Sequence, residues 1–269
     1  GKKSLIISIH ILKNKNKYFK NNKFKVYTKK IKSTPLIENY IFFKEYKIKF
    51  VSAIRPSMDI KKIPKPSNKL INEIKKIKKN VLIIGASSGL GFELMKLYKH
   101  NKKIKIFASY YKNTINQSSD NLKKIRLNVE EDMQKIKDII KRNQPINIYY
   151  FSTPKINLLS KDQLLKKKYK NYYYNYPLQI IKMLSCKENG FFYPSSVLAG
   201  ESNSYYAKYK LMAEIFIHKI KKNNNIDLRV FKLPYLKTKQ NITIIKNNYP
   251  LFTNFLEKNK KCLNAVLFK

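Results

Sequence analysis

The sequence predicts an α/β protein: a doubly wound parallel sheet over residues 80–269, preceded by a small antiparallel β segment. Three observations carry this. Residues 80–91, NVLIIGASSGLG, read as a short apolar strand, a glycine-rich turn and the start of a helix. From there onward, short apolar runs alternate with stretches of helical period, the pattern of β-α-β units. Before residue 56, by contrast, the chain holds β-rich runs separated by Asn/Lys clusters and shows no helical period.

The four early runs are 4–12, 23–31, 36–43 and 46–54, rich in Ile, Val, Phe and Tyr. They predict a small antiparallel sheet over residues 1–55. Pro56, Pro64 and Pro66 mark a linker over 56–79, which also carries a short helix with Leu70, Ile71, Ile74 and Ile77 on one face.

Length and charge bound the reading. At 269 residues the chain has room for one to two domains with a true core. The formal charge of +42 would ordinarily point to nucleic acid or an anionic surface. The lysines, however, are spread along nearly the whole chain among Asn and Ile, so each solvated position reads as lysine-filled and specific nucleic-acid binding is not expected. Nonspecific attraction to polyanions that fades with salt is the charge's own consequence. No apolar run reaches the roughly 18 residues of a membrane span, and no signal-peptide core is present, so a cytoplasmic protein without membrane partner is expected. The two cysteines, Cys186 and Cys262, form no metal pattern and read as free thiols. His10, His100 and His218 stand at no metal or triad spacing, and no metal is expected.

The glycines of the turn are Gly85, Gly89 and Gly91. Glycine lets backbone approach a pyrophosphate, and a helix N-terminus adds unpaired N–H groups and the positive end of the helix dipole. Gly85, Ser87, Ser88, Gly89, Leu90 and Gly91 are therefore candidate cofactor contacts; the bland alternative is a tight turn without ligand. The second strand is expected at 104–109. An acid near its end would bind a ribose 2′-hydroxyl and select NAD. Here the chain reads FASYYKN, with no acid until Asp120. Ser109, Tyr110 and Lys112 offer hydroxyls and a cation, which suit a 2′-phosphate, so NADP(H) is expected over NAD(H).

A third strand at 124–127 leads into Asn128, Val129 and a helix over 130–141. A fourth at 146–151 ends in Ser152. Residues 164–184 read as a long helix, interrupted where Pro177 follows Asn175 by two; a proline frees a carbonyl upstream and kinks the helix. A fifth strand at 191–194 ends in Ser195 and Ser196, and Tyr206 and Lys210 follow at i and i+4 on one helix face. Tyrosine is a weak acid with a pKa of about 10, and a lysine cation beside it favours the phenolate. The pair is thereby suited to proton exchange with a carbonyl, to which a strand-end serine adds a hydrogen bond. Tyr205 lacks this partner, because Tyr209 lies four residues on. A sixth strand at 227–231 precedes Pro234 and Thr238, and KCLNAVLFK at the C-terminus is expected as a short last strand.

GASSGLG, then Asn175, then YPSSV and YYAKYKLMAE, in that order, resemble the short-chain dehydrogenase/reductase family. The resemblance implies a Rossmann-like NAD(P)-binding domain over 80–269. It implies that Tyr206 is the proton donor, Lys210 its pKa tuner and ribose anchor, Ser196 the carbonyl orienter, with Ser195 as the alternative. Asn175 would help order a proton-relay water. It further implies adenine contacts from Asn128 and Val129, a backbone contact at Ser152, and contacts from Pro234 and Thr238 to the nicotinamide carboxamide and pyrophosphate. Two departures stand out: Asn128 replaces the usual Asp, and Ser152-Thr153-Pro154 occupies the place of Asn-Asn-Ala-Gly.

SLIISIHI, KFKVYTKKI and KIKFVSAIRP resemble the closing strands of a MaoC-type hot-dog fold. That implies that residues 1–55 are a piece or reduced remnant of such a domain, with no chemistry of their own. Hot-dog folds are common in acyl-thioester metabolism, so a 3-oxoacyl thioester is the suggested substrate. The expected function is hydride transfer between NADPH and a small-molecule carbonyl or alcohol, with homo-oligomerisation left open. Two alternatives stand beside it: an idle dinucleotide- or polyanion-binding docking module, and a sugar-nucleotide epimerase or dehydratase on the same fold.

Overall fold

A computed structural model describes residues 3–13, 24–30, 36–55, 65–156, 162–185, 187–201, 203–223, 226–238 and 249–268. The linker prolines Pro56 and Pro64, and Cys186, lie outside the described residues. The chain divides into two compact units, the first reaching Ile63 and the second holding Pro64–Gln240 and Tyr249–Lys269.

The smaller unit is an antiparallel sheet of β1 (Lys3–Lys13), β2 (Phe24–Lys30), β3 (Leu36–Phe43) and β4 (Tyr46–Arg55), in the order β1-β4-β3-β2. Its register puts Ile11, Ile48, Ile41 and Val26 in one cross-strand row, and Leu12, Lys47, Phe42 and Lys25 in the next. Because side chains alternate across a strand, these rows lie on opposite faces, one aliphatic and one mixing cations with aromatics. Glu38 and Lys49 pair at 2.6 Å on the second face.

The larger unit begins with α1 (Asn68–Lys75), whose N-cap Ser67 accepts from the Leu70 N–H at 3.3 Å. Leu70, Ile74 and Ile77 enter the core of this unit, so the helix that the sequence reading grouped with the linker packs in the larger unit. There follow β5 (Asn80–Ile84), α2 (Gly89–Tyr98), β6 (Ile106–Tyr110), β7 (Leu122–Arg126), α3 (Met133–Arg142) and β8 (Ile146–Tyr150). The second half holds α4 (Gln163–Lys170), α5 (Tyr176–Lys182), β9 (Gly190–Ser196), α6 (Tyr205–Asn223), β10 (Asp227–Leu233), α7 (Phe252–Lys258) and α8 (Lys260–Val266).

The sheet runs β10-β9-β8-β5-β6-β7 with every pairing parallel. Counted within the unit, that is the order 6-5-4-1-2-3 of a Rossmann-like doubly wound sheet. Both faces are covered, as a parallel sheet requires. Alternation along β5 sends Val81 and Ile83 into a core with Leu94, Tyr98, Phe252 and Leu256, while Leu82 and Ile84 join Ile136, Ile140, Ile180 and Ile217 on the other side. The first core is closed by the C-terminal helices. Glu93 of α2 accepts from the Thr253 N–H at 2.9 Å and the Thr253 hydroxyl at 3.0 Å, capping α7, whose own N-cap, Leu251, has no side-chain oxygen to offer.

One element differs in kind from the sequence expectation. KCLNAVLFK supplies a helix, not a strand: Asn259 caps α8 by accepting from the Cys262 N–H at 2.8 Å. Cys262 and Val266, one turn apart, are both buried. A short apolar run fits either period, and the cap decides it here.

Candidate functional site

All strands of the larger sheet point the same way, so the segments after β5, β8, β9 and β10 emerge at one carboxyl edge. The sheet order reverses between β5 and β8, which is where an open α/β sheet leaves a crevice for a ligand. The sequence-predicted residues gather along this edge.

The glycine turn has the conformation its residues were expected to serve. Gly85 adopts φ +87°, and a Cβ there would stand 2.8 Å from Phe151 C and Ser152 N. Ser152 therefore lies against the turn through its backbone. A Cβ on Gly91 would collide with the Gly85 carbonyl oxygen, so helix and turn touch through bare backbone. Gly89 takes φ +61°, and its open side faces Thr238, 3.9 Å away at Cγ2. Ser88 is the N-cap of α2 in extended backbone and makes no side-chain cap. The first N–H groups of α2 thus have no capping oxygen from Ser88 and open on the turn, with Ser87, Ser88 and Leu90 half-buried around it. This cradle fits a pyrophosphate: backbone donors, no side chain in the way, and a helix dipole behind.

Ser109 stands against the glycine turn. It is 2% exposed, and its Oγ accepts from the Gly85 N–H at 2.9 Å. Its observed contact therefore holds the glycine turn. Tyr110 is half-buried at the strand end, and Lys112 is exposed with Nζ 5.8 Å from the Tyr111 ring centre. Asn128 and Val129 are buried after β7. The Asn128 Oδ1 accepts from the Glu130 N–H at 3.2 Å, so the oxygen expected to face an adenine amino group serves its own turn.

The predicted long helix is broken where Pro177 required. Residues Asn171–Asn175 form a turn of π-helix between α4 and α5. In an α-helix the Tyr173 carbonyl would accept from residue 177, but proline has no N–H. The buried Tyr193 hydroxyl from β9 donates to that carbonyl instead, at 2.7 Å. Asn175 ends the π turn, and its Nδ2 donates to Asn171 Oδ1 at 2.8 Å. Tyr173 in turn hydrogen-bonds Thr153 Oγ1 at 2.5 Å, joining the π turn to the segment after β8.

Ser196 ends β9 and Tyr206 lies in the first turn of α6; the Ser196 Oγ accepts from the Leu198 N–H at 3.2 Å, and its hydroxyl acts to lower the Tyr206 pKa. Ser195, one residue earlier, points to the other face, where its hydroxyl is buried with no partner among the described residues. Tyr206 packs edge-on against Tyr173, ring centres 5.0 Å apart. Lys210 is 7% exposed; its Nζ donates to the Pro194 carbonyl at 2.5 Å and sits over the rings of Tyr193 and Tyr173, at 4.5 and 4.9 Å.

The electrostatics revise one expectation. Burial holds the Tyr206 hydroxyl above its ordinary pKa, and the opposing influence comes from the Ser196 hydroxyl, not Lys210. Lys210 lies 6.0 Å from the Tyr206 ring centre, and burial pushes its own pKa down to about 7, with Glu214 acting to raise it. A lysine half-neutral near pH 7 exerts only part of a unit charge on its neighbour.

Sequence reasoning missed the aromatic enclosure of Lys210 by Tyr173 and Tyr193. The NYYYNY run and the tyrosine just before the Pro-Ser-Ser strand end were its only traces. It also missed Glu214, four residues past Lys210 in YYAKYKLMAE.

No protein-family model and no curated protein sequence matches the chain. Solved structures do. A short-chain dehydrogenase from Burkholderia cenocepacia J2315, determined in complex with NADP, matches with a TM-score of 0.57 at 14% identity, over 71% of this chain and 84% of that one. A short-chain oxidoreductase from Thermus thermophilus matches with a TM-score of 0.53 at 14% identity, over 70% and 96%. A short-chain dehydrogenase/reductase from Brucella melitensis gives 0.52 at 10% identity, over 62% and 76%. At these identities the likeness establishes the fold, that of the short-chain dehydrogenases/reductases. Among the described residues, no helix is long and apolar enough to cross a membrane.

Proposed function

We propose that this chain is an NADP(H)-dependent oxidoreductase that interconverts a carbonyl and an alcohol. The observation that carries the reading is the hydroxyl pair of Ser196 and Tyr206, with Lys210 one helical turn on, at the sheet edge that also holds the glycine cradle.

The backbone N–H groups at the start of α2 would hold the pyrophosphate, and Thr238 beside Gly89 would bound it. Lys112 and Tyr110, past the end of β6, would meet a 2′-phosphate; the absence of an acid there is what favours NADP(H) over NAD(H). A bound nicotinamide supplies hydride to the carbonyl carbon. The protein's part is position and proton traffic. Ser196 and Tyr206 present two hydroxyls to the substrate oxygen, and Tyr206 gives that oxygen its proton. Burial keeps the Tyr206 phenol protonated over the neutral range, the form needed for reduction. Lys210, when protonated, would stabilise the phenolate left behind and reach the ribose. Asn175 and the π turn would support the return of the proton from solvent, and Tyr193 holds that turn in place through Tyr173.

The test is NADPH oxidation against a panel of ketones, aldehydes and 3-oxoacyl thioesters, with wild type and Tyr206→Phe. Turnover in wild type that falls by roughly 10²-fold or more in Tyr206→Phe, with NADPH binding retained, supports the assignment. NADPH binding without turnover on any carbonyl would instead support an idle dinucleotide-binding module.

A further inference from the structure

We propose that Glu214 is a positioning residue for this site, holding the Lys210 ammonium in its charged form from one helical turn further along α6; the inference rests on the reductase reading above. Lys210 is enclosed by groups that carry no net charge: the Pro194 carbonyl from β9 and the rings of Tyr193, Tyr173 and Tyr206. Such an enclosure solvates a cation only in part, and burial favours the neutral amine.

Glu214 is 6% exposed and shares the Lys210 face of α6 at i+4. Its Oε2 stands 3.6 Å from Lys232 Nζ of β10, whose side chain is half in solvent. Its Oε1 is buried with no hydrogen-bond partner among the described residues. A buried carboxylate oxygen left unpaired is costly, and a loose contact with a half-exposed lysine does not offset it. Lys232 is the nearer cation, and Lys210, one turn back on the same helix and itself buried, is the second positive charge beside it. Among the described residues, the carboxylate that acts on Lys210 is Glu214, and it acts to keep the proton on. The groups facing the pair are thus Tyr193 from β9, Lys232 from β10, Tyr173 from the π turn and Tyr206 from α6 itself. Burial has brought Lys210 to about 7, so a modest change of field decides its charge at neutral pH.

The experiment is the affinity for NADPH as a function of pH, measured by calorimetry at fixed high salt for wild type, Glu214→Gln, Glu214→Asp and Lys232→Met. Thermal melts check that each variant is folded. Affinity falls on the alkaline side as Lys210 loses its proton. In Glu214→Gln this limb moves to lower pH by about one unit, the scale of a lost neighbouring charge. In Glu214→Asp, which keeps the charge, it returns toward wild type. In Lys232→Met, which removes a competing cation, it moves to higher pH and remains readable if the Gln variant fails to fold. Coincident limbs in wild type and Glu214→Gln, or in wild type and Lys232→Met should the Gln variant not fold, overturn the role of Glu214 alone. A wild type that binds no NADPH at any pH overturns the reductase reading, and this inference with it.

Discussion

The Tyr193 hydroxyl donates to the Tyr173 carbonyl at 2.7 Å, filling the acceptor that Pro177 leaves without an N–H. The bond ties the π turn to the strand whose end bears Ser196, so one proline shapes the helix and one tyrosine holds the result beside the site. Tyr193→Phe keeps the ring and strands the carbonyl. A loss of about 1–3 kcal/mol is expected, the cost of a buried acceptor left unsatisfied. Urea unfolding monitored by circular dichroism measures it, and an unchanged midpoint would refute the role.

The glycines divide by what surrounds them. Gly91→Ala drives a methyl group into the Gly85 carbonyl oxygen, and neither backbone segment has room to yield. It should abolish NADPH binding and lower the melting temperature. At Gly89 the space is open and only φ +61° opposes a side chain. Gly89→Ala should therefore cost about 1–2 kcal/mol and Gly89→Asn less, since Asn enters the left-handed region more readily. Melting curves of the three variants check the order.

The buried Lys210 makes stability depend on pH. Its pKa falls from 10.5 to about 7 on folding, so between these values the unfolded chain binds the extra proton. Stability from this group rises with pH across that window, and below it the cost of burying the ammonium is fully present. Lys210→Met removes the cost while keeping the volume. The variant should be more stable than wild type at pH 6.5, and the gap should close toward pH 10. Paired urea titrations at the two pH values cancel the contributions of the other lysines; a gap that widens would contradict the account.

Ser196 offsets part of what burial does to Tyr206. In Ser196→Ala the Tyr206 pKa should rise further. In the alcohol-oxidising direction, which needs the phenolate, the rate should then climb at a higher pH than in wild type. The pH–rate profile of the two proteins shows the shift. Ser195→Ala, which removes a hydroxyl facing the other side, should leave the profile in place.

Much of the larger unit was legible because its signals are local and redundant. VLII is short and runs straight into three glycines, which favours a buried strand entering a tight turn, and the Tyr206–Lys210 spacing places both on one helix face whatever surrounds them. The break at Pro177 was likewise local, a missing donor. What the sequence withheld depends on distant groups. Asn259 decides that KCLNAV is a helix through a cap to Cys262, while the apolar letters alone suit a strand. Ser109 turns inward to the Gly85 N–H, which no reading of FASYYKN reveals. The state of Lys210 is set by tyrosines from two other elements, so i,i+4 spacing with Tyr206 overstated its charge.

The central claim is that the glycine turn and the carboxyl edge of the sheet bind NADPH. Calorimetric titration of the protein with NADPH and with NADH, in salt high enough to suppress nonspecific attraction to a chain of charge +42, tests it most directly. The account predicts saturable one-site binding of NADPH, weaker binding of NADH, and loss of the difference in Lys112→Asp. Binding of neither nucleotide, by a protein that melts cooperatively, would contradict it.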